Sequence, residues 1–159
     1  MKRFILVFAT IALSAGVLQA RGSGKAIGLR LGYDAQEISY QQPFNDANRL
    51  ELTLGVNTFG FNMAGKHCRG AGLNGIYQWV YNLSSGSDKL KGYVGAGAAV
   101  LDHGLFGAGV LGQVGVEYNF DSPVQLSLDY RPGAYWLPGA GNVYRFSWNT
   151  PCLSVRFHF

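Results

Sequence analysis

The stretch LSVRFHF, Leu153–Phe159, decides the fold class. It alternates strictly between two kinds of side chain, with apolar Leu153, Val155, Phe157 and Phe159 set against polar Ser154, Arg156 and His158. A period of two residues is typical of a β-strand whose two faces meet different surroundings. The stretch therefore predicts a strand with one apolar and one polar face.

Seven further segments repeat this alternation, and no segment has the period of an amphipathic helix. Together with Cys152–Phe159 they are Lys25–Tyr33, Gln36–Phe44, Arg49–Asn57, Ala71–Leu83, Lys91–Leu101, Gly109–Phe120 and Pro123–Arg131. Lys91–Leu101 is small and apolar throughout, so its facing stays open. All five prolines fall at the ends of these segments or between them, as expected of a residue that cannot donate to a strand ladder. The pattern predicts an all-β fold, an eight-stranded antiparallel up-and-down β-barrel.

The first twenty residues have the layout of a secretory signal peptide. Lys2 and Arg3 precede an apolar run from Phe4 to Leu13, and small residues follow. We expect residues 1–20 to be a signal peptide and residues 21–159 to be the barrel. Cleavage of the signal peptide would remove Lys2 and Arg3, so the net charge of +4 would fall to +2. No run of basic residues remains, which argues against nucleic-acid binding.

The connections alternate in length along the chain. Asn45–Asn48, Ser84–Asp88 and Asp121–Pro123 are short, whereas Asn57–Gly70, Asp102–Phe106 and Pro132–Asn149 are mostly longer and are expected to be loops. Outer-membrane barrels have short periplasmic turns and longer extracellular loops. The loop aromatics, such as Tyr144 and Trp148, indicate either a binding surface or outward extensions of the strands.

Eight alternating strands fit two kinds of barrel. A soluble lipocalin-like barrel is apolar inside, and a transmembrane barrel is apolar outside. Charged residues make up only 14% of the chain, against about 25% in soluble domains, and the polar strand faces carry mainly Gly, Ser, Thr, Asn and Gln. Aromatic residues concentrate near strand ends, as in interfacial girdles. These features favour a transmembrane β-barrel.

The stretches AIGLRLGY, EISYQ, IYQWVYNL, VEYNFDSPVQLSLDYRP and the terminal RFHF resemble the small eight-stranded outer-membrane barrels of Gram-negative bacteria, of OmpA/OmpX-type architecture and common in Bacteroidota-like organisms. The resemblance implies an outer-membrane location and contact with outer-membrane lipid and lipopolysaccharide. It also implies that Phe157 and Phe159 form a C-terminal signal read by the barrel-insertion machinery. It does not specify an activity. We expect a monomer.

In such a barrel the polar faces fill the lumen. The expected polar network comprises Arg30, Glu37, Glu51, Gln78, Glu117, Asp129, Arg131 and Arg156. Eight strands leave an interior just wide enough for side chains to fill. A packed set of ion pairs is therefore the first interpretation, and a narrow or gated pore is the alternative.

Small outer-membrane barrels can also be lipid-modifying enzymes, which need a nucleophile beside a base. His67, His103 and His158 do not form such a set with Ser and an acid in the sequence, so we expect no enzyme, no cofactor and no metal. Two cysteines in an exported chain suggest one disulfide, Cys68–Cys152, and two unpaired thiols are the alternative. The expected role is structural or surface interaction through the extracellular loops.

Overall fold

The computed structural model describes residues 24–32, 35–63, 66–84, 88–102, 106–138, 142–148 and 151–159. For residues 57–63, 66–69 and 143 only the backbone is described. The predicted signal peptide lies outside the described residues, and so does the tip of the first hairpin at Tyr33 and Asp34. Among the described residues, no helix has the length and apolar character needed to cross a bilayer.

Ten strands make up the described chain. They are β1 (Ala26–Gly32), β2 (Ala35–Asn45), β3 (Asn48–Met63), β4 (Lys66–Asn82), β5 (Leu90–Asp102), β6 (Phe106–Asn119), β7 (Val124–Tyr130), β8 (Pro132–Leu137), β9 (Val143–Trp148) and β10 (Cys152–His158).

Eight of these strands close into one antiparallel ring. Each of β1 to β6 pairs with the next strand in sequence, and β10 joins β7 to β1. The pairing of β5 with β6 completes the circle, with thirteen residue pairs from Leu90↔Tyr118 to Asp102↔Phe106. The prediction of an all-β, eight-stranded antiparallel barrel is confirmed.

The prediction of a loop is wrong for two segments, because both continue as strands in the structure. Residues 57–63 extend β3 and residues 66–70 extend β4 into a tall hairpin, with Met63 opposite Lys66. Within Pro132–Asn149, β8 continues the line of β7 along β6, and β9 returns beside β8. Pro132 is tolerated because it is the first residue of β8, where no ladder bond from its nitrogen is required. The interpretation of these segments as strand extensions is the correct one.

At the opposite end of the barrel the connections between strands are short, as predicted. Asp46 and Ala47 form the turn between β2 and β3, and Ala47 accepts a hydrogen bond from Val80 of β4 at 2.8 Å. A tight turn also joins β6 to β7, where Phe120 donates to Val124 at 3.0 Å. The barrel therefore has a turn end, with connections of a few residues, and a hairpin end, where β3–β4 and β8–β9 project.

Candidate functional site: the charged lumen

The two faces of each strand have opposite exposure. Glu51 is 0% exposed and its neighbour Leu52 is 39% exposed; Arg156 is 0% exposed and Phe157 is 39% exposed. All eight residues of the expected polar network are buried, and so are Ser39, Gln41, Arg49, Thr53, Asn74, Gln113, Gln125, Ser127 and Ser154. Many of these side chains bond to one another across strands that are not neighbours, as Arg30 of β1 does to Asp129 of β7 and Arg49 of β3 does to Glu117 of β6, so they meet in the interior.

Arg30 of β1 bridges two carboxylates near the hairpin end. Its Nε and Nη2 donate to Oδ1 of Asp129 at 3.0 and 2.6 Å, and its Nη1 donates to Oε2 of Glu37 at 3.0 Å. Arg131, which follows β7 directly, donates to the same Glu37 oxygen at 3.1 Å. Guanidinium groups suit this position because their fork of donors can bond two acids at once.

Glu51 of β3 is the centre of the network. One carboxylate oxygen accepts hydrogen bonds from Ser39 Oγ at 2.6 Å and from Nη2 of Arg156. The other oxygen accepts from Arg131 Nη2 at 3.4 Å and from the amides of Gln78 and Gln113. Strands on several sides of the ring thus converge on one carboxylate, which fills the middle of the lumen.

A further buried ion pair, between Arg49 and Glu117, lies toward the turn end. Arg49 Nη1 donates to Glu117 Oε1 at 3.0 Å, its Nη2 bonds the second oxygen, and its Nε bonds Gln78. The guanidinium also stacks over the ring of Tyr93, 5.0 Å from its centroid. Arg49 was missing from the predicted network because it comes directly after a turn, where a charged side chain usually faces water. Arg49 lies two residues before Glu51 and so shares its face of the strand. This spacing could have placed Arg49 in the predicted network.

The buried charges balance. Four arginines (Arg30, Arg49, Arg131, Arg156) face four carboxylates (Glu37, Glu51, Glu117, Asp129), and all eight are at most 8% exposed. Burying an ion costs several kcal/mol unless its partners are well placed. Because each of these ions has a partner of opposite charge within 3.4 Å, the lumen can be filled by charged side chains without an uncompensated charge.

A smaller part of the lumen is apolar. Ile76, Ala99, Leu101, Leu111 and Tyr135 form a buried cluster on β4, β5, β6 and β8. This arrangement resolves the facing of β5, whose odd-numbered residues point inward and whose even-numbered residues point outward. Tyr93 reaches across the inner wall because Gly115 has no side chain; a Cβ there would meet the Tyr93 ring at 2.6 Å.

The turn end opens into a cavity of about 320 Å³, whose lining includes Arg49, Glu117, Asn119 and His158. Asn119 Oδ1 lies 3.3 Å from Nε2 of His158 and also accepts from Gln125 at 3.2 Å. The side-chain partner of His158 in the described part of the chain is therefore the amide of Asn119.

A surface ion pair links two turns at the same end. Lys89 Nζ lies 2.7 Å from Asp121 Oδ2. This hydrogen bond raises the pKa of Lys89 above its usual value.

Of the other predicted residues, Cys152 borders this network, opposite Asp129 of β7. Cys152 is buried at the start of β10, close to Gly32. The side chains of Cys68 and His67, and the whole of His103, lie outside the described residues, so the disulfide stays a prediction. Phe157 points outward, and the Phe159 nitrogen donates to the Lys25 carbonyl at 2.9 Å.

Within the described part of the chain, no group of three His, Cys, Asp or Glu side chains could hold a metal ion. The geometry shows a closed barrel with a packed, charge-balanced interior. No protein-family model matches the chain, and no curated protein or solved structure matches it either.

Proposed function

We propose that the protein is an integral outer-membrane β-barrel, of OmpA/OmpX-type architecture, with a structural or surface-interaction role. The observation that carries this proposal is the apolar outer wall. Among the outward residues that the structure describes on the eight ring strands, Asp102 at the end of β5 is the only charged one. A barrel in water would need charged residues across this surface.

The magnitude of the exposed apolar surface supports a lipid environment. Among the side chains that the structure describes, thirty large hydrophobic ones are exposed. Covering each half-exposed side chain with an apolar medium contributes about 1 kcal/mol, or ~30 kcal/mol in total. This exceeds the net stability of a typical domain, about 5–15 kcal/mol. A monomer with this surface would therefore either insert into a bilayer or form aggregates in water.

Aromatic residues on the outer wall support the same proposal. Near the turn end, Tyr77 stacks with Phe44 at 6.0 Å and meets Trp79 edge-on at 5.2 Å, and Tyr118 meets Phe120 at 4.9 Å. Toward the hairpin end, Trp136, Tyr144, Phe146 and Trp148 are exposed. Two aromatic belts are typical of membrane barrels, whose interfaces with water they occupy.

The proposed role follows from the shape of the molecule. The projecting β3–β4 and β8–β9 hairpins would lie on the extracellular side and would be the surface available to partners. The wall would contact outer-membrane lipid and lipopolysaccharide, and β10 with Phe157 and Phe159 would be read by the barrel-insertion machinery. A pore is less favoured, because Glu51 and its partners fill the middle of the lumen.

Membrane fractionation tests the proposal. The protein expressed in a Gram-negative host should sediment with the outer membrane and remain there after a carbonate wash. On a gel, the unheated detergent sample should migrate differently from the boiled sample, because a folded barrel resists cold detergent. Recovery in the soluble periplasmic fraction without detergent would contradict the proposal, and stepwise conductance in planar bilayers would favour a pore.

A further inference from the structure

The wall of the barrel is uneven in height at the hairpin end. β9 continues the line of β10, because β9 pairs with β8 in the way that β10 pairs with β7. The next strand around the ring, β1, ends at Gly32, opposite Cys152 at the start of β10. β2 begins at Ala35, opposite Asn57 of β3. Beyond Gly32 and Ala35, no strand that the structure describes occupies the space between β9 and β3, which we call the hairpin-end gap.

Two open strand edges border the hairpin-end gap. On one side, β9 pairs with β8 and with no second strand among those described. On the other side, β3 continues past Asn57 to Met63, and its described partner there is β4 alone. An open edge presents a row of main-chain N–H and C=O groups without ladder partners, which is a template for another strand.

The side chains of β9 also indicate a missing neighbour. Tyr144, Phe146 and Trp148 share one face of the strand and are 72–76% exposed, more than any other large hydrophobic side chain that the structure describes. Trp136 of β8, which has strands on both sides, is only 41% exposed. The same residue type is therefore nearly twice as exposed on the edge strand as it is on the neighbouring paired strand.

The hairpin-end gap has room for two strands of opposite direction. The positions of β1 and β2 separate β9 from β3, so three strand spacings, or about 14 Å, span the gap. β9 runs toward the turn end and β3 runs toward the hairpin end. Antiparallel pairing at both edges therefore requires one strand in each direction. Two adjacent antiparallel strands joined by a short turn are a β-hairpin.

We propose that the hairpin-end gap binds a β-hairpin of a partner protein, which pairs with β9 on one side and with β3 on the other. This site deepens the surface-interaction role proposed above and rests on it. Main-chain hydrogen bonds would join the strands, and alternate apolar side chains of the partner would lie beside Tyr144, Phe146 and Trp148. A lipid chain has no main-chain groups to pair with two strand edges, so the edges favour a polypeptide.

Hydrogen–deuterium exchange of the full-length barrel in lipid vesicles tests this site. The probe is a synthetic peptide with two six-residue strands, the length of β9, in which valine alternates with threonine around an Asn-Gly turn. At saturating peptide, the edge amides of β9 and of residues 58–63 should exchange about tenfold more slowly, because each gains a ladder partner. Exchange in β8 should not change. The same peptide with N-methylated strands cannot pair and should protect neither edge.

Three variants of the chain separate strand pairing from nonspecific adhesion. Phe146→Lys places a charge on the open edge and should weaken peptide binding about tenfold, whereas Trp136→Lys on the paired strand β8 should leave it unchanged. Lengthening the β1–β2 hairpin by the length of β9 in each strand should fill the gap from within the chain and abolish protection by the peptide. All three variants should keep the heat-dependent migration of the folded barrel, which excludes misfolding as the cause.

The outcomes distinguish this site from the membrane location. Unchanged exchange at both edges, in a barrel that keeps its heat-dependent migration, would overturn the site and leave the membrane barrel intact. Protection of β9 without residues 58–63 would show one added strand and overturn the hairpin. Protection that rises with protein concentration in the absence of peptide would overturn the choice of partner in favour of a second copy. Protection by the peptide in a protein recovered without detergent would support the site and overturn the membrane location.

Discussion

The charged and the apolar parts of the lumen fill the space inside the barrel in different ways. Around Glu51, space is filled by long polar side chains whose bonds each need a defined partner. Around Leu111, space is filled by a few apolar side chains in contact, among them Ile76 and Leu101. In the charged part, removal of one ion leaves its partners buried without an opposite charge, so each residue type matters. The stability of the apolar part depends only on the volume of its side chains.

The largest effect is expected at the centre of the charged part. Glu51→Leu leaves Arg131 and Arg156 buried without their shared carboxylate, and should lower the free energy of unfolding by about 3–5 kcal/mol. Urea unfolding in lipid vesicles measures this loss. Leu52→Ala, one residue away on the outer wall, is the matched control and should change stability by less than about 1 kcal/mol. Equal losses of unfolding free energy in the two variants would show that the lumen network is not central to stability.

The apolar part should respond to volume alone. Leu111→Ala leaves a cavity beside Ile76 and Leu101, and should lower the free energy of unfolding by about 2–4 kcal/mol. Leu111→Met preserves most of the volume and should cost less than about 1.5 kcal/mol. The same urea titration measures both. A loss with Met as large as the loss with Ala would contradict a volume-only role.

An intermediate effect is expected for Arg49 and Glu117, the buried ion pair toward the turn end. A double-mutant cycle with Arg49→Met and Glu117→Gln should give a coupling energy of about 1–2 kcal/mol, because the pair is buried but borders an open cavity. The unfolding free energies of the wild type, both single variants and the double variant supply the cycle. Additive effects would mean that the two side chains do not interact in the lipid-embedded protein.

The smallest effect is expected outside the lumen. Lys89→Ala removes the exposed ion pair with Asp121 and should leave the urea midpoint unchanged, because solvent screens such pairs. The bond raises the pKa of Lys89, so any contribution would be complete at neutral pH and be lost only as the pH rises through that raised pKa. A clear destabilisation at neutral pH would contradict this expectation.

The contrast between the two parts of the lumen also explains what the sequence could and could not predict. Isolated charges in alternating strands, such as Glu51 and Arg156, can only face a polar interior or water, so their common face was predictable. Lys91–Leu101 contains mainly Gly and Ala, which fit either face, so only pairing with its neighbours fixes Tyr93 and Leu101 inside. Ile76 and Val80 obscured the alternation of β4 because the lumen accepts apolar side chains there. Proline and glycine around residues 132–139 concealed β8 and β9, since these residue types usually indicate loops.

The central claim is that the apolar wall faces lipid, and spin-label accessibility tests it most directly. Single labels would be placed along β6 at Val114, Val116 and Glu117 in a background without native cysteines, in lipid vesicles. A lipid-facing wall predicts high accessibility to dissolved oxygen and low accessibility to a water-soluble nickel chelate at Val114 and Val116, with both accessibilities low at Glu117. High accessibility to the nickel chelate at Val114 and Val116 would contradict it.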